Sequence, residues 1–257
     1  MIAVGVDCGA KTVKVVILKD GQVVGRSLVL AGIDTKVSAD EAFDEALGIA
    51  GLTKSDIGNI VATGAGKKEI TYAKDTITEV AATSRGAVYL NPAVRTVIDV
   101  GAEEGRAIKV DESGRVVDFA INEKCAAGAG AFTEAMARAL EVKIEEMGTL
   151  SLQSTQAVPM NAQCAVFAES ELVTLVHSKI PKPDMARAIH DAIADRIISM
   201  VRRVGIEKEI MLIGGVAHNI GFVASLNRGL GVEVIVPEAP EYVGALGAAL
   251  AAASKPR

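Results

Sequence analysis

The chain has 257 residues, of which 50% are hydrophobic, so it is long enough to bury one large core or two smaller ones. Lys and Arg number 27 against 32 Asp and Glu, and aromatic residues make up 3% with no Trp. A mildly acidic chain without a basic stripe or stacking platforms is not typical of nucleic-acid binding, so no nucleic acid is expected as a partner. The longest apolar run, residues 243–253, is too short and too rich in Gly and Ala to span a bilayer, and no membrane partner is expected.

The cysteine content indicates a reducing compartment. Cys8, Cys125 and Cys164 are odd in number and far apart, which argues against a secreted disulfide framework. Residues 1–7 look like a strand and not like a secretory signal. We therefore expect a cytoplasmic protein.

The first third of the chain alternates strand and helix signals. The predicted elements are strands over residues 2–7, 11–18 and 22–30, a helix to about residue 51, a strand over 57–63 and a helix over 79–90. Asp20-Gly21 predicts a hairpin turn between the second and third strands. Ser38, with Glu41 three residues later, is typical of a capping box at the start of the first helix.

After Pro92 the pattern begins again, with a strand over 94–100 and a hairpin over 108–121. The remaining predicted elements are helices over about 130–141, 165–177 and 184–204, a strand over 209–213, a helix from about Asn219, a strand over 232–236 and a helix over 241–252. The recurring strand, acidic residue, glycine and hairpin indicate an internal duplication and two similar lobes. We expect an N-terminal lobe of residues 1–90, packed by residues 241–257, and a C-terminal lobe of residues 91–240.

Two turns and a glycine pair carry the signals for phosphate binding. The first turn, Asp7-Cys8-Gly9-Ala10-Lys11-Thr12, offers backbone N–H groups close to a phosphate, and a carboxylate that can hold Mg²⁺ directly or through water. Asp99 with Gly101 repeats this device, and Gly214-Gly215 lets the backbone approach a nucleotide closely. No Walker A sequence is present. Each signal alone is weak, but the ordered set favours a nucleotide site.

Two of the cysteines stand directly before stretches of helical periodicity. Cys125 opens Cys-Ala-Ala-Gly-Ala-Gly-Ala-Phe, and Cys164 opens Cys-Ala-Val-Phe-Ala-Glu-Ser-Glu. An iron–sulfur cluster is usually held by four thiolates, so a dimer could supply two from each subunit. Taken alone, the pair is also compatible with two buried structural cysteines.

Taken together, these motifs resemble the BadF/BadG/BcrA/BcrD family of iron–sulfur ATPases, within the superfamily of acetate and sugar kinases, heat-shock ATPases and actin. The matching stretches are residues 6–9, 61–64, 97–101, 122–128, 164–171 and 214–217. The resemblance implies an α/β fold of the duplicated, two-lobed actin/hexokinase/heat-shock-ATPase (ribonuclease H-like) type.

The resemblance also implies cofactors and site residues. A dimer would share one [4Fe-4S] cluster ligated by Cys125 and Cys164 of each subunit, and ATP would bind with Mg²⁺ in the C-terminal lobe that also carries the cluster-ligand helices. The residues expected to act on the phosphates are Asp7, Asp99 and Glu103. Those expected to hold the nucleotide are Gly9, Ala10, Lys11, Thr12, Gly101, Ala102, Gly128, Gly214 and Gly215.

One departure bears on the subfamily. Activators of 2-hydroxyacyl-CoA dehydratases carry Asp-Ile-Gly-Gly-Gln-Asp at the second turn, where this chain has Asp99-Val-Gly-Ala102-Glu103-Glu104. With the Cys125 motif, this form resembles the D-type component of ATP-dependent benzoyl-CoA reductase. Two carboxylates near a γ-phosphate repel it unless Mg²⁺ intervenes, so we expect hydrolysis here to be slower or differently arranged.

The resemblance therefore predicts an ATP-dependent electron-transfer subunit of a benzoyl-CoA (aryl-CoA) reductase. Its partners would be a homologous A-type ATPase subunit, a B/C-type substrate-binding pair and ferredoxin as electron donor. ATP binding and hydrolysis would gate the transfer of low-potential electrons from the cluster. One alternative is a homodimeric, ATP-dependent activator of a 2-hydroxyacyl-CoA dehydratase. Another is a sugar or acid kinase without redox chemistry.

Two further residue types are interpreted as structural. Cys8 is expected to be a small buried filler inside the first turn. His177, His190 and His218 have no metal-ligand spacing to one another and are interpreted as surface or capping residues.

Overall fold

A computed structural model describes residues 1–122, 130–160 and 165–254. Its strands are β1 (Ile2–Cys8), β2 (Thr12–Lys19), β3 (Gln22–Leu30), β4 (Asn59–Thr63), β5 (Asp75–Thr76), β6 (Thr96–Val100), β7 (Gly105–Val110), β8 (Val116–Asn122) and β9 (Ile210–Ile213). Its α-helices are α1 (Thr35–Ala50), α2 (Glu79–Leu90), α3 (Gly130–Ala139), α4 (Ile144–Ser151), α5 (Ala165–His177), α6 (Lys182–Val204), α7 (Ile220–Leu230) and α8 (Val243–Ala253). No helix among these residues has the length and apolar character needed to cross a membrane.

The chain divides into two compact units. Unit 1 comprises Met1–Val94, Val110–Val117 and the C-terminal segment that begins at Glu241. Unit 2 comprises Arg95–Lys109 and Asp118–Pro240. Each unit contains one of the two turns singled out by the sequence.

Unit 1 is built on a five-stranded sheet in the order β3-β2-β1-β4-β5. The central strand β1 runs antiparallel to β2 and parallel to β4. Strands β1 and β2 alternate their apolar side chains between two faces, as expected for strands buried on both sides. One face packs Val6 and Ile17 against Phe43 of α1, and the other packs Leu18 against Ala245 and neighbouring alanines of α8.

Unit 2 repeats this arrangement with a four-stranded sheet in the order β8-β7-β6-β9. The central strand β6 is antiparallel to β7 and parallel to β9. Its core is covered by helices, chiefly α6, whose Ile189, Ile193 and Ile197 recur at helical spacing and are fully or almost fully buried. The shared topology is the duplication that the sequence predicted.

Two local predictions were wrong. The first helix begins at Thr35, and the Asp34 carboxylate caps it by accepting hydrogen bonds from the Lys36 and Val37 amides. Ser38, the predicted cap, instead accepts a hydrogen bond from the Gly32 amide. The predicted strand over 232–236 is reduced to a single parallel bridge at Ile235, and the Val234 amide donates to the Asn227 side chain. Pro237 then follows without an N–H to continue a ladder.

Candidate functional site

The first glycine turn comprises residues 8–12 and follows β1. The Gly9 amide donates to the Thr12 carbonyl over 3.1 Å, which closes the turn. Gly9 and Thr12 are half-buried, whereas Ala10 and Lys11 are exposed. The turn therefore offers an exposed edge with a cation on it, as phosphate recognition requires.

Asp7 lies at the end of β1 between two neighbouring strands. In the sheet register it stands opposite Lys14 of β2 and opposite Thr63 of β4. The Lys14 Nζ lies 3.2 Å from Asp7 Oδ2. The Thr63 Oγ1 is buried and has no hydrogen-bond partner among the described residues. Side chains opposite one another share a face of the sheet, so the carboxylate, the ammonium and the unsatisfied hydroxyl form one polar group.

Gly64 makes this arrangement possible. Its φ of 91° lies in the left-handed region, and a Cβ there would lie 2.7 Å from Asp7 Oδ1 and overlap the Cys8 carbonyl. A residue with a side chain is therefore excluded by both backbone conformation and space. The adjacent Cys8 is fully buried, and burial, followed by the Asp7 charge, raises the pKa of its thiol to about 11. The thiol is protonated at neutral pH, which agrees with a filler role.

The second glycine turn comprises residues 100–104 and follows β6 in unit 2. The Gly101 amide donates to the Glu104 carbonyl over 2.9 Å and closes the turn. Asp99, the residue before the turn, stands opposite Arg106 of β7 and opposite Ile213 of β9. Arg106 Nη1 donates to Asp99 Oδ2 over 3.0 Å, and Nη2 donates to the Glu104 carboxylate. One guanidinium therefore bridges two carboxylates.

Gly214 is related to Asp99 as Gly64 is to Asp7. Its φ is 87°, and a Cβ there would lie 2.9 Å from Asp99 Oδ1 and overlap the Val100 carbonyl. Gly215 follows as the exposed first residue of a 3₁₀ turn. The two glycines thus bring exposed backbone next to the Asp99 carboxylate.

The second glycine turn is hydrogen-bonded to the start of α3. The Gly130 amide donates to the Gly101 carbonyl over 2.9 Å, and the Ala131 amide donates to the Ala102 carbonyl over 2.8 Å. A Cβ on Gly130 would lie 3.1 Å from Val216 Cγ2 and 3.3 Å from the Gly101 oxygen. The turn, the first residues of α3 and the segment after Gly214 therefore meet in unit 2.

The acidic residues of the second glycine turn differ in environment. Glu103 is exposed, whereas the half-buried Glu104 pairs with the buried Arg106. Arg106 was not among the residues predicted from the sequence. The internal duplication could have identified it, because Arg106 follows Asp99 at the same spacing at which Lys14 follows Asp7.

The predicted cluster ligands Cys125 and Cys164, and the predicted nucleotide contact Gly128, lie outside the described residues. Helix α3 begins at Gly130 and α5 at Ala165, so each helix starts shortly after one of the cysteines. Within the described part of the chain, no group of three or more His, Cys, Asp or Glu is arranged to hold a metal ion.

A buried carboxylate anchors the chain before Cys164. Asp184 of α6 accepts hydrogen bonds from the Ser154 hydroxyl, the Thr155 amide, and the amide and side chain of Gln156, over 2.8 to 3.2 Å. Burial alone would raise the pKa of Asp184, but these hydrogen bonds outweigh it and hold the pKa below its usual value. Asp184 therefore fixes the chain a few residues before the segment that carries Cys164.

His190 is not a surface or capping residue, contrary to the sequence interpretation. It is fully buried on the core face of α6, where it neighbours Ile189. Its Nε2 lies 2.9 Å from the Asn219 side-chain amide nitrogen, and Asn219 caps α7 through its Oδ1. Burial lowers the pKa of His190 to about 4, so the ring is neutral at pH 7 and accepts from Asn219.

Comparison with known proteins identifies the family. The model of the BadF/BadG/BcrA/BcrD ATPase family matches residues 4–252. The chain belongs to this family. The match includes both glycine turns and the segments of both predicted cluster cysteines, and the family-level resemblance of the motifs is confirmed.

Several relatives in this family cover nearly the whole chain. The (R)-2-hydroxyglutaryl-CoA dehydratase activating ATPase of Acidaminococcus fermentans is 40% identical over 98% of this chain and 96% of its own length. The activator of lactoyl-CoA dehydratase of Anaerotignum propionicum is 38% identical over 97% and 96%. The D-type component of benzoyl-CoA reductase from Thauera aromatica is 33% identical over 97% and 92%.

Solved structures confirm the predicted fold. Component A of the A. fermentans dehydratase superposes with a TM-score of 0.94 at 38% identity, covering 98% of this chain and 97% of its own. The activator of the 2-hydroxyisocaproyl-CoA dehydratase from Clostridium difficile, solved with bound ADPNP, gives 0.92 at 36% identity over 98% and 94%. A ROK-family glucokinase from Streptomyces griseus gives 0.60 at 12% identity over 99% of this chain and 100% of its own, and shows the fold alone. The chain has the two-lobed, α/β actin/hexokinase-like fold.

Proposed function

We propose that this chain is an ATP-dependent activator of a 2-hydroxyacyl-CoA dehydratase, which passes an electron from a shared [4Fe-4S] cluster to the dehydratase. The observation that carries the proposal is the pair of hydrogen bonds from the Gly130 and Ala131 amides to the carbonyls of the second glycine turn. They connect the residues proposed to meet phosphate with the helix that follows Cys125. These hydrogen bonds fit both the activator and the reductase subunit, and the similarity to relatives gives the activator precedence.

The similarity to relatives supports this order. The named dehydratase activators are 36 to 40% identical to this chain, compared with 33% for the D-type component of the reductase. The feature that favoured the reductase, Ala102-Glu103-Glu104, is confined to one turn, whereas these identities extend over nearly the whole chain. The reductase electron-transfer subunit remains the second candidate, on the strength of that acidic turn.

The described residues fit a magnesium nucleotide. Gly64 and Gly214 bring backbone against a strand-end carboxylate where no Cβ fits, and Thr63 buries a hydroxyl without a partner among the described residues. In unit 1, we assign Asp7 to the hydrated cation, and phosphate contact to residues 9–12. In unit 2, we assign Asp99 to the cation and Glu103 to its water shell. Gly101, Ala102, Gly214 and Gly215 then supply nucleotide contacts.

The cluster would be held by Cys125 and Cys164 of two copies of the chain. Four thiolates satisfy a [4Fe-4S] cluster, and the N-terminal ends of α3 and α5, which follow those cysteines in the sequence, carry the partial positive charge that favours an anion. When bound, the cluster supplies the low-potential electron, and MgATP supplies the free energy for its transfer. In the reductase candidate, one set of cysteines would come from an A-type homologue.

The role of this chain's own residues follows from the hydrogen bonds of α3. Each backbone hydrogen bond contributes about 1 kcal/mol, and breaking one where water cannot enter costs about 1–3 kcal/mol. A second glycine turn that shifts to accept a phosphate therefore moves the start of α3 with it. Hydrogen bonding and exposure of the sulfurs alter the reduction potential of a cluster. A shift of α3 would therefore let the bound nucleotide change the reduction potential of the cluster.

The proposal is tested by anaerobic purification of the chain expressed alone, with iron and acid-labile sulfide determined and reduced-state EPR recorded. We expect about four irons per homodimer, lost in Cys125→Ala and Cys164→Ala. The reduced protein should then start turnover of a purified 2-hydroxyacyl-CoA dehydratase in catalytic amounts, only with ATP. A cluster that forms solely with an A-type homologue, with ATP consumed at every turnover, would favour the reductase. Absence of iron both from the chain expressed alone and from the chain co-expressed with an A-type homologue would contradict the redox proposal.

A further inference from the structure

Arg106 carries an inference that rests on the proposed function and deepens it. We propose that Arg106 is the charge-balancing, positioning residue of the second glycine turn: by bridging Asp99 and Glu104 it lowers the negative charge that an incoming nucleotide phosphate meets. The ligand is a nucleoside di- or triphosphate, alone or with Mg²⁺. Arg106 acts through the two carboxylates and is not assigned contact with the nucleotide.

Arg106 forms the bridge between the two carboxylates from a buried position. Both Asp99 and Arg106 are buried, with 9% of their surface exposed, and the Glu104 carboxyl contacts the other nitrogen of the same guanidinium. The planar fork of arginine can serve two carboxylates at once, which a lysine ammonium does less well. Asp99 Oδ2 faces the guanidinium, while Oδ1 lies toward Gly214. The guanidinium therefore fixes the orientation of the Asp99 carboxylate.

Acidic residues outnumber basic residues at the second glycine turn. Residues 99–106 include the three acidic residues Asp99, Glu103 and Glu104 and one basic residue, Arg106. A nucleotide bound at this turn adds further negative charge, so every unneutralised carboxylate weakens binding. Mg²⁺ reduces the net charge of ADP from about −3 to about −1, so the penalty must be larger for the free nucleotide than for the magnesium complex.

The corresponding pair in unit 1 has a lysine in place of the arginine. Lys14 stands opposite Asp7 in the same register, but a single ammonium meets a single carboxylate there. The first glycine turn adds Lys11 where the second has Glu103 as its exposed charged residue. An arginine bridge is thus found in the unit whose turn carries the excess of carboxylates.

The test is the dissociation constant of ADP, measured by isothermal titration calorimetry with Mg²⁺ and with EDTA. Arg106→Gln should weaken ADP binding about tenfold in EDTA and about threefold with Mg²⁺. The ratio of the dissociation constant in EDTA to that with Mg²⁺ should therefore rise about threefold. Glu104→Gln should shift the ratio in the opposite direction, because it removes a carboxylate and leaves Arg106 on Asp99. Both changes should diminish at high salt.

Two further variants separate the explanations. Arg115→Gln removes an exposed arginine that pairs with Asp111 in the hairpin turn, and should leave the ratio unchanged. Arg106→Lys keeps the charge but not the fork, and should give an intermediate ratio. If Arg106 were only structural, Arg106→Gln would lower the melting temperature and weaken both forms of ADP equally.

The failure of this inference is distinguishable from failure of the proposed function. If the unmodified protein binds ADP but neither Arg106→Gln nor Glu104→Gln changes the ratio, the role of Arg106 is wrong and the activator proposal stands. If the unmodified protein binds no ADP under either condition, both are overturned. Should Arg106→Gln not fold, Glu104→Gln decides, since a fall in its ratio is expected and an unchanged ratio contradicts the inference.

Discussion

The two glycine turns share a backbone design and differ in charge and attachment. In each, a strand-end aspartate stands between a cationic residue on one neighbouring strand and a left-handed glycine that ends the other. The residue before that glycine is Thr63 in unit 1 and Ile213 in unit 2, so only the first turn has a buried hydroxyl there. The duplication has kept the geometry that phosphate contact requires and changed the polar groups around it.

The attachment of the turns differs as well. The carbonyls of Cys8 and Lys11 in the first turn accept from the amides of Gly66 and Ala31, which follow β4 and β3. The carbonyls of the second turn accept from the first amides of α3. Under the proposed function, a displacement of the first turn would be resisted by loops of its own sheet, whereas a displacement of the second would move α3. The proposal therefore assigns the coupling between nucleotide and α3 to unit 2.

Substitution of the left-handed glycines should have the largest effect. Gly64→Ala and Gly214→Ala place a Cβ against a backbone carbonyl and the aspartate at positive φ, and should each cost about 3 kcal/mol or more. Thermal unfolding should show losses of about 6–12 °C, or no folded protein. Gly215→Ala is the matched control, because its Cβ meets nothing within 4 Å. If only one of the two variants were damaging, the turns would not be equivalent.

Acid should weaken unit 2 through its buried histidine. The folded pKa of His190, about 4, lies below the unfolded value of about 6.5, so stability is fully present above pH 6.5 and is lost as pH falls toward 4. Between pH 7 and pH 5 the loss should be about 2 kcal/mol.

Urea unfolding at several pH values measures this slope. His190→Gln should flatten it, whereas His177→Gln, at an exposed position, should not. Equal slopes in all three proteins would contradict the assignment.

The link to α3 should be sensitive to Gly130. In Gly130→Ala the added methyl group contacts Val216 and the Gly101 carbonyl closely, which should displace the start of α3 slightly and weaken its hydrogen bonds to the turn. We expect ATP-dependent electron transfer to fall about tenfold, equivalent to about 1.4 kcal/mol, while ADP affinity changes less. Stopped-flow reduction of the dehydratase measures the rate. Gly48→Ala, in an open position on α1, is the control and should leave the rate unchanged.

The smallest effect is expected when the polar residue before Gly64 is made apolar, like Ile213 at the corresponding position of unit 2. Thr63→Val removes the buried hydroxyl that lacks a partner among the described residues and should stabilise the nucleotide-free protein by about 1 kcal/mol. If Thr63 bonds to the nucleotide or its magnesium water, the same variant should weaken MgADP several-fold. Stabilisation without weaker binding would leave Thr63 outside the site.

Local patterns in the sequence were sufficient for most elements and for both glycine turns, but not for α4 or for the residues that pair with the turns. Asp7 and Asp99 could be placed at strand ends because apolar runs and glycines mark those ends within a few residues. Arg106 escaped notice because its role depends on antiparallel register with β6. The position of Gly214 beside Asp99 likewise requires the parallel pairing of strands more than a hundred residues apart.

Two other interpretations depended on local sequence patterns alone. His190 was interpreted as a surface or capping residue because it has no metal-ligand spacing to the other histidines, yet it lies beside Ile189 on the face of α6 that the core covers. The second glycine turn favoured the reductase because Ala102, Glu103 and Glu104 depart from the motif of the dehydratase activators and resemble the D-type component. The similarity of the whole chain favours the dehydratase activators instead.

The most direct test of the central claim is EPR spectroscopy of the anaerobic, reduced protein, with and without MgADP or a non-hydrolysable ATP analogue, on the unmodified chain and on Gly130→Ala. The account predicts a cluster signal that changes with nucleotide in the unmodified chain and changes much less in Gly130→Ala, although both bind the nucleotide. A signal that is indifferent to bound nucleotide in the unmodified chain would contradict the proposed coupling through α3.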